Sequence, residues 1–220
     1  MGKINSEFIW CMERVLDIYE KPYNSNKPVI CFDERPCQLI GDILVPIPMQ
    51  PGKIQREDYH YERNGTCCVF MAVEPLAGRR IVKVSKQKTK RDYAEFMKKL
   101  AQKYCNAHKI ILVQDNLNTH NPSSFYETFS ADEAFALSQR FEMNYTPKKA
   151  SWLNMAEIEL SVLSKQCLDR RIGDQQTLSA EVVPWVQRRN RQKATITWSF
   201  SKSKARNKFS RRYKSIQKFI

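Results

Sequence analysis

The aliphatic run at residues 110–113, set between two patterns of helical spacing, constrains the fold of this chain more than any other segment. Four consecutive large apolar side chains leave no face for water, so the strand they form lies buried in the middle of a sheet. Upstream, Thr89 followed by Asp92 has the form of a capping box, and Tyr93, Phe96, Met97, Leu100 and Tyr104 then fall on one helical face. Downstream, Ser130 with Glu133 opens another helix that runs through Ala134, Leu137 and Phe141. A buried strand flanked by amphipathic helices predicts an α/β layer.

The remaining segments extend that layer. Phe8, Cys11, Met12, Val15, Leu16 and Tyr19 recur at helical spacing, and the breaker-rich KPYNSNKP ends the helix they predict. Residues 29–32 predict a short strand ending at Asp33, and the proline-rich stretch 44–52 an extended loop. Residues 66–73 and 80–84 are apolar strands joined across Pro75-Leu76-Ala77-Gly78, a turn sequence that predicts an antiparallel hairpin. A strand at 142–145 is stopped by Thr146-Pro147, and Asn154 with Glu157 opens a helix reaching about Leu168. The order strand, strand, strand, helix, strand, helix, strand, helix is that of a ribonuclease-H-like fold, a mixed sheet flanked by helices. Residues 1–27 are expected to form an N-terminal helix and linker, 28–181 this domain, and 182–220 a basic C-terminal helical extension packed on it.

Charge points to the partner. Of the formal net charge of +14, twelve Lys or Arg and no Asp or Glu lie from Val182 to Ile220, which leaves +2 for the rest (14 − 12). Such a segment suits a polyanion, and no apolar run approaches the roughly 20 residues that span a bilayer. Nucleic acid is therefore the expected partner, and a membrane is not. The seven cysteines form no zinc-spaced pairs, and they read as reduced thiols in a cytoplasmic protein.

Three acids sit at the ends of these elements: Asp33 in VICFDE, Asp115 in IILVQDNLNTH and Glu157 in TPKKASWLNMAEIELS. Carboxylates brought together by a sheet and a neighbouring helix bind divalent metal. Each also has a plainer reading, as a strand-end carboxylate, an Asx turn and a helix cap respectively. On a helical wheel Glu159 lies inside the arc of Met155, Val162 and Leu163, whereas Glu157 lies beside Ser161 and Ser164. A charge facing the packed side demands a partner or a metal, so Glu159 stands as the alternative third acid.

The strings CFDE, VQDNLNTH and YTPKKASWLNMAEIELSVLSKQCLDRR resemble those of bacterial insertion-sequence transposases of the insertion-sequence 630 family, relatives of the mariner superfamily. The resemblance runs from about Glu13 to the basic tail. It implies a DDE catalytic domain with Asp33, Asp115 and Glu157 as its acids, Glu157 being favoured because the family's acid follows the asparagine by three residues. It implies cleavage of DNA at transposon ends, strand transfer into a TA target, and a homodimer that cuts two ends together. Two Mg²⁺ or Mn²⁺ ions about 3.5 to 4 Å apart suit that chemistry, one at each oxygen of an in-line displacement. On this reading Asp33 bridges both ions, while Asp115 and Glu157 each complete one shell. An inactive DNA-binding remnant, or a ribonuclease-H-like nuclease of other specificity, remains the alternative.

Weaker candidates surround the acids. His120, five residues after Asp115, is placed to orient a phosphate or an attacking water, or to serve the loop structurally. Lys148, Lys149 and Trp152 offer two cations and an aromatic surface to DNA. In the tail, Ala205, Phe209, Tyr213, Ile216 and Ile220 form an apolar stripe, which leaves Lys204, Lys208, Arg211 and Arg212, with Arg188, Arg189 and Arg191 before them, as phosphate contacts. Family members carry helix-turn-helix modules ahead of this domain. None fits before the first strand here, so weak recognition of specific ends is expected.

Overall fold

The computed structural model describes residues 4–44, 47, 49–53 and 58–217. Strands β1 (Val29–Asp42), β2 (Tyr61–Glu74), β3 (Arg79–Ser85), β4 (Ile110–Gln114) and β5 (Phe141–Tyr145) form one sheet in the order β3-β2-β1-β4-β5. The β1-β2 and β2-β3 pairs are antiparallel, while β1-β4 and β4-β5 are parallel. Helices α1 (Ser6–Tyr19), α2 (Lys90–Lys103), α3 (Ser123–Tyr126), α4 (Ala131–Gln139), α5 (Met155–Cys167), α6 (Gln175–Arg191), α7 (Lys202–Lys208) and α8 (Ser210–Gln217) complete the chain.

Strand alternation divides the core into two layers. Ile30, Phe32, Phe70, Ala72, Ile110 and Leu112 face α2 and α4, where Tyr93, Phe96, Met97, Leu100 and Leu137 cover them. Cys31, Val69, Met71, Val73, Ile111 and Val113 face the other way, onto α1, α5 and α6. The run at 110–113 supplies both layers, which is why none of its residues is polar. Its strand is buried along its whole length, as expected.

The expected hairpin joins β2 to β3, and Gly78 shows why its turn needs glycine. Its φ is +65°, and a Cβ there would lie 2.5 Å from the carbonyl carbon of Lys193. Gly78→Ala combines left-handed strain with a backbone clash, and it is expected to lower stability by about 1 to 3 kcal/mol in urea unfolding.

Four expectations need correction. The first strand does not end at Asp33; β1 continues to Asp42, paired with β2 throughout, so Asp33 lies inside it. Pro36 is tolerated there because β1 pairs with β4 only as far as Cys31, and beyond that point its outer edge needs no donor. Phe141 opens β5 rather than closing the helix before it. The helical extension does not begin at residue 182: helix α6 starts at Gln175 and runs across it, carrying Pro184 in its interior and packing Leu178, Val182, Trp185 and Val186 into the core. The tail is two short helices, α7 and α8, rather than one. Ala205 and Phe209 of the apolar stripe are buried, and Arg206 ties the tail to α1 through Glu13 at 2.7 and 2.8 Å. Ile220 and parts of the 44–52 loop lie outside the described residues.

Candidate active site

Parallel pairing brings the first two acids side by side. Cys31 pairs with Val113, so Asp33 and Asp115 each lie two residues further along neighbouring strands, at the C-terminal end of β4. Asp33 belongs to the face covered by α5, the helix that carries Glu157 in its first turn. Asn154 fixes that approach. Its side chain caps α5 by accepting from the Ala156 amide at 3.1 Å, and its Nδ2 donates to the Phe32 carbonyl at 2.8 Å and to Asp33 Oδ2 at 3.2 Å. Tyr19 of α1 braces the same junction, donating from its hydroxyl to the Leu153 carbonyl at 2.9 Å.

The electrostatics of Asp33 report the convergence. Only 8% of its surface is exposed. Burial pushes its carboxyl up to about 7, and the nearby charges of Glu157, Glu34 and Asp115 push the same way, against the hydrogen bond from the Glu34 amide. The charged neighbours that act on it, Glu157, Glu34 and Asp115, are all negative. Among the described residues no three His, Cys, Asp or Glu side chains surround a single point closely enough to hold an ion as they stand. In kind, however, an all-oxygen set around an under-compensated carboxylate fits a hard divalent cation.

Asp115 is 36% exposed and has cationic company. Burial pushes its carboxyl up, but His120, the Leu117 amide and Lys88 outweigh this and hold it below its ordinary value. His120 is buried between rings, edge-on to Phe32 at 5.1 Å and stacked on Tyr93 at 5.0 Å. Its Nδ1 lies 2.5 Å from Asp115 Oδ1, and its Nε2 lies 2.9 Å from Glu34 Oε2. Burial pushes the imidazole down, yet the two carboxylates raise it to about 9. His120 therefore carries a positive charge at neutral pH.

Glu159 faces the packed side, as the helical wheel implied, and its partners are protein cations. Arg80 Nη2 donates to it at 2.9 Å, and Arg189 at 2.8 and 3.1 Å. Glu157 is exposed and lines a groove of about 330 Å³ with Glu34, Arg35, Ser161, Ser164 and Lys165.

The other candidates divide. Lys148 and Lys149 are exposed and share a hollow of about 230 Å³ with Asn116 and the start of α1, and Lys149 holds a left-handed φ of 64°. Trp152 packs edge-on against Phe200 at 5.7 Å while remaining partly exposed. Arg188, Arg191, Lys204, Lys208, Arg211 and Arg212 are exposed, whereas Arg189 gives its guanidinium to Glu159. Glu34 was not singled out from sequence, because the strand expected there ended at Asp33 and β1 in fact continues to Asp42.

The model of a family described as DDE superfamily endonuclease matches residues 28–179. The chain belongs to that family. Among solved structures, this DDE endonuclease domain is similar to the catalytic domain of the Mos1 mariner transposase, with a TM-score of 0.53 and 9% identity over 88% of this chain and 95% of that one. It is also similar to the Mos1 mariner paired end complex with Mn, at a TM-score of 0.57 and 12% identity over 88% of this chain, and to the complex with Mg, at 0.54 and 11% over 88%. It spans 59% and 61% of the chains in those two complexes. Comparison with curated protein sequences gives no match. At these identities the likeness is one of fold, and the expected ribonuclease-H-like architecture is borne out. Among the described residues no helix is long and apolar enough to cross a membrane.

Proposed function

We propose that this DDE endonuclease domain is the catalytic part of a mariner-superfamily transposase of the insertion-sequence 630 type, which cuts DNA at transposon ends and joins the freed 3′ hydroxyl to a TA target. The observation that carries this reading is the buried Asp33 carboxyl on the central strand, raised first by its burial and further by the negative charges of Glu157, Glu34 and Asp115. Asp33, Asp115 and Glu157 are the residues that would hold Mg²⁺ or Mn²⁺, two ions in all. Such ions, when bound, would stabilise the attacking and leaving oxygens of phosphoryl transfer. Two of the similar structures are Mos1 paired end complexes with Mn and with Mg, which supports the choice of cation.

The remaining residues bind and orient. The groove beside Glu157 offers Arg35 and Lys165 to phosphates and Ser161 and Ser164 to phosphate oxygens. Asn154 keeps Asp33 turned toward α5. The exposed cations of α6, α7 and α8 supply sequence-independent attraction for double-stranded DNA. A homodimer acting on two ends in the cytoplasm, at the nucleoid, completes the proposal.

The test is a nicking assay on duplexes bearing transposon ends, with and without Mg²⁺ or Mn²⁺. Nicking is expected only with metal and is expected to vanish in Asp115→Asn and in Glu157→Gln; metal-independent nicking, or nicking unchanged in either variant, overturns the assignment. Binding to duplex DNA is expected to fall steeply from 50 to 200 mM salt. The double variant Arg188→Glu, Arg191→Glu is expected to reduce the log–log salt slope by about 2, measured by fluorescence anisotropy.

A further inference from the structure

We propose that Glu34 is a positioning residue for Asp115, acting through the His120 ring. The inference rests on the reading of Asp115 as a metal-holding residue. It concerns a side chain next to Asp33 on β1 that reaches His120 rather than Asn154.

Asp115 begins a loop, just past the last paired residue of β4, so the sheet alone does not fix its carboxylate. Two contacts do: the Leu117 amide donates to Oδ1 at 3.2 Å, and His120 Nδ1 lies 2.5 Å from the same oxygen. The ring is itself held by more than packing. Its backbone carbonyl accepts from Gln114 Nε2 and from the Tyr145 hydroxyl, both at 2.9 Å, which anchors the residue to the ends of β4 and β5. Phe32 and Tyr93 restrict its tilt. Glu34 Oε2, 2.9 Å from Nε2, holds the far nitrogen of the ring and so opposes its displacement away from Asp115. Glu34 is in turn nearly buried, with Lys88 Nζ 3.6 Å from its other oxygen. The line Lys88, Glu34, His120, Asp115 thus ties the loop after β3 to the acid at the end of β4.

Charge gives the arrangement its purpose. An acid needed beside Asp33 and Glu157 has reason to swing away from them, since like charges repel. The imidazole, 2.5 Å away, fixes one carboxylate oxygen, which leaves the other to a cation. Outer partners that orient a ligand carboxylate in this way alter metal affinity by about 10 to 100-fold when removed.

The experiment measures Mn²⁺ binding by the electron paramagnetic resonance signal of free Mn²⁺, alongside nicking and thermal unfolding, in wild type, Glu34→Gln, Glu34→Asp and Asp33→Asn. Glu34→Gln keeps the shape of the side chain while removing its charge. It is expected to stay folded, to bind Mn²⁺ about 10-fold or more weakly, and to recover part of its nicking rate at high Mn²⁺. Glu34→Asp, which restores the charge one methylene short, is expected to fall between. Wild-type Mn²⁺ affinity in folded Glu34→Gln overturns this inference alone, as does an affinity loss matched by the lost folded fraction. If wild type binds no Mn²⁺, or Asp33→Asn binds it equally well, the metal reading falls and this inference with it.

Discussion

Asp33→Asn is expected to yield a protein that no longer cuts DNA and yet resists unfolding better than the wild type. The carboxyl has a folded value of about 7 against an ordinary 3.8, so the folded chain holds this proton more tightly than the unfolded chain does. The corresponding penalty is absent below about pH 4, grows as pH rises toward 7 and is complete above it. At about 1.4 kcal/mol per tenfold it amounts to at most about 4 kcal/mol. Asparagine carries no charge to bury. It keeps an oxygen for the Glu34 amide but turns an amide toward Asn154 Nδ2, so part of the gain is returned. A net rise of roughly 5 °C in Tm at pH 7.5 follows for a chain of this size.

The pH profile separates this effect from its neighbour. His120, raised to about 9, contributes stability that is full below about pH 6.5 and is lost as pH climbs through 9, in wild type and variant alike. Between pH 4 and 6.5 the wild type is therefore expected to lose stability while Asp33→Asn stays nearly level. Mg²⁺ or Mn²⁺ at 100 times its Kd adds about 2.7 kcal/mol to a protein that binds it only when folded, and the variant is expected to gain far less. Loss of nicking on the order of 10² to 10³-fold or more accompanies this, as for other groups that act only at the developing charge. If Asp33→Asn unfolded at a lower temperature than wild type at pH 7.5, Asp33 would be a structural carboxylate.

The parts legible in the sequence were those whose cause is local. The capping box of Thr89 and Asp92 forms as its spacing implied, as does the Asn154 cap, and the apolar run at 110–113 lies buried because no polar residue interrupts it. What escaped depends on partners distant in sequence. The second half of β1 is polar and carries a proline, and it is a strand only because β2 pairs with it. Helix α6 has a proline in its interior, and it is held by tertiary contacts: Asn190 accepts from the Arg80 amide at 2.8 Å and donates to its carbonyl at 2.9 Å, and apolar residues on one face enter the core. The same limit applied to the site. The sequence carried Asp33, Asp115 and Glu157 as candidates, but the link from Glu34 to His120 crosses from one strand to a loop 86 residues on (120 − 34), and no spacing rule encodes it.

Glu157 and Glu159, two residues apart on one helix, are expected to fail in opposite ways. Glu159 is buried with Arg80 and Arg189, and burial alone pushes its carboxyl up, but the two guanidinium groups outweigh that and lower it. Removing its charge strands Arg80, whose side chain is fully buried and whose Nε and Nη1 have no hydrogen-bond partner. Glu159→Gln is therefore expected to cost about 3 to 5 kcal/mol, the usual consequence of leaving one half of a buried ion pair, or roughly 10 °C in Tm. Nicking should fall only as the folded fraction falls, and should be measurable at low temperature. Glu157 is exposed in the first turn of α5 and forms no ion pair among the described residues, so Glu157→Gln forfeits little beyond its favourable place at the positive end of the helix, within about 1 kcal/mol. Its nicking should nevertheless vanish. Paired thermal melts and nicking assays on the two variants decide the third acid: a stable, active Glu157→Gln beside a folded, inactive Glu159→Gln would reverse the assignment and make the two arginines counter-ions of a catalytic carboxylate.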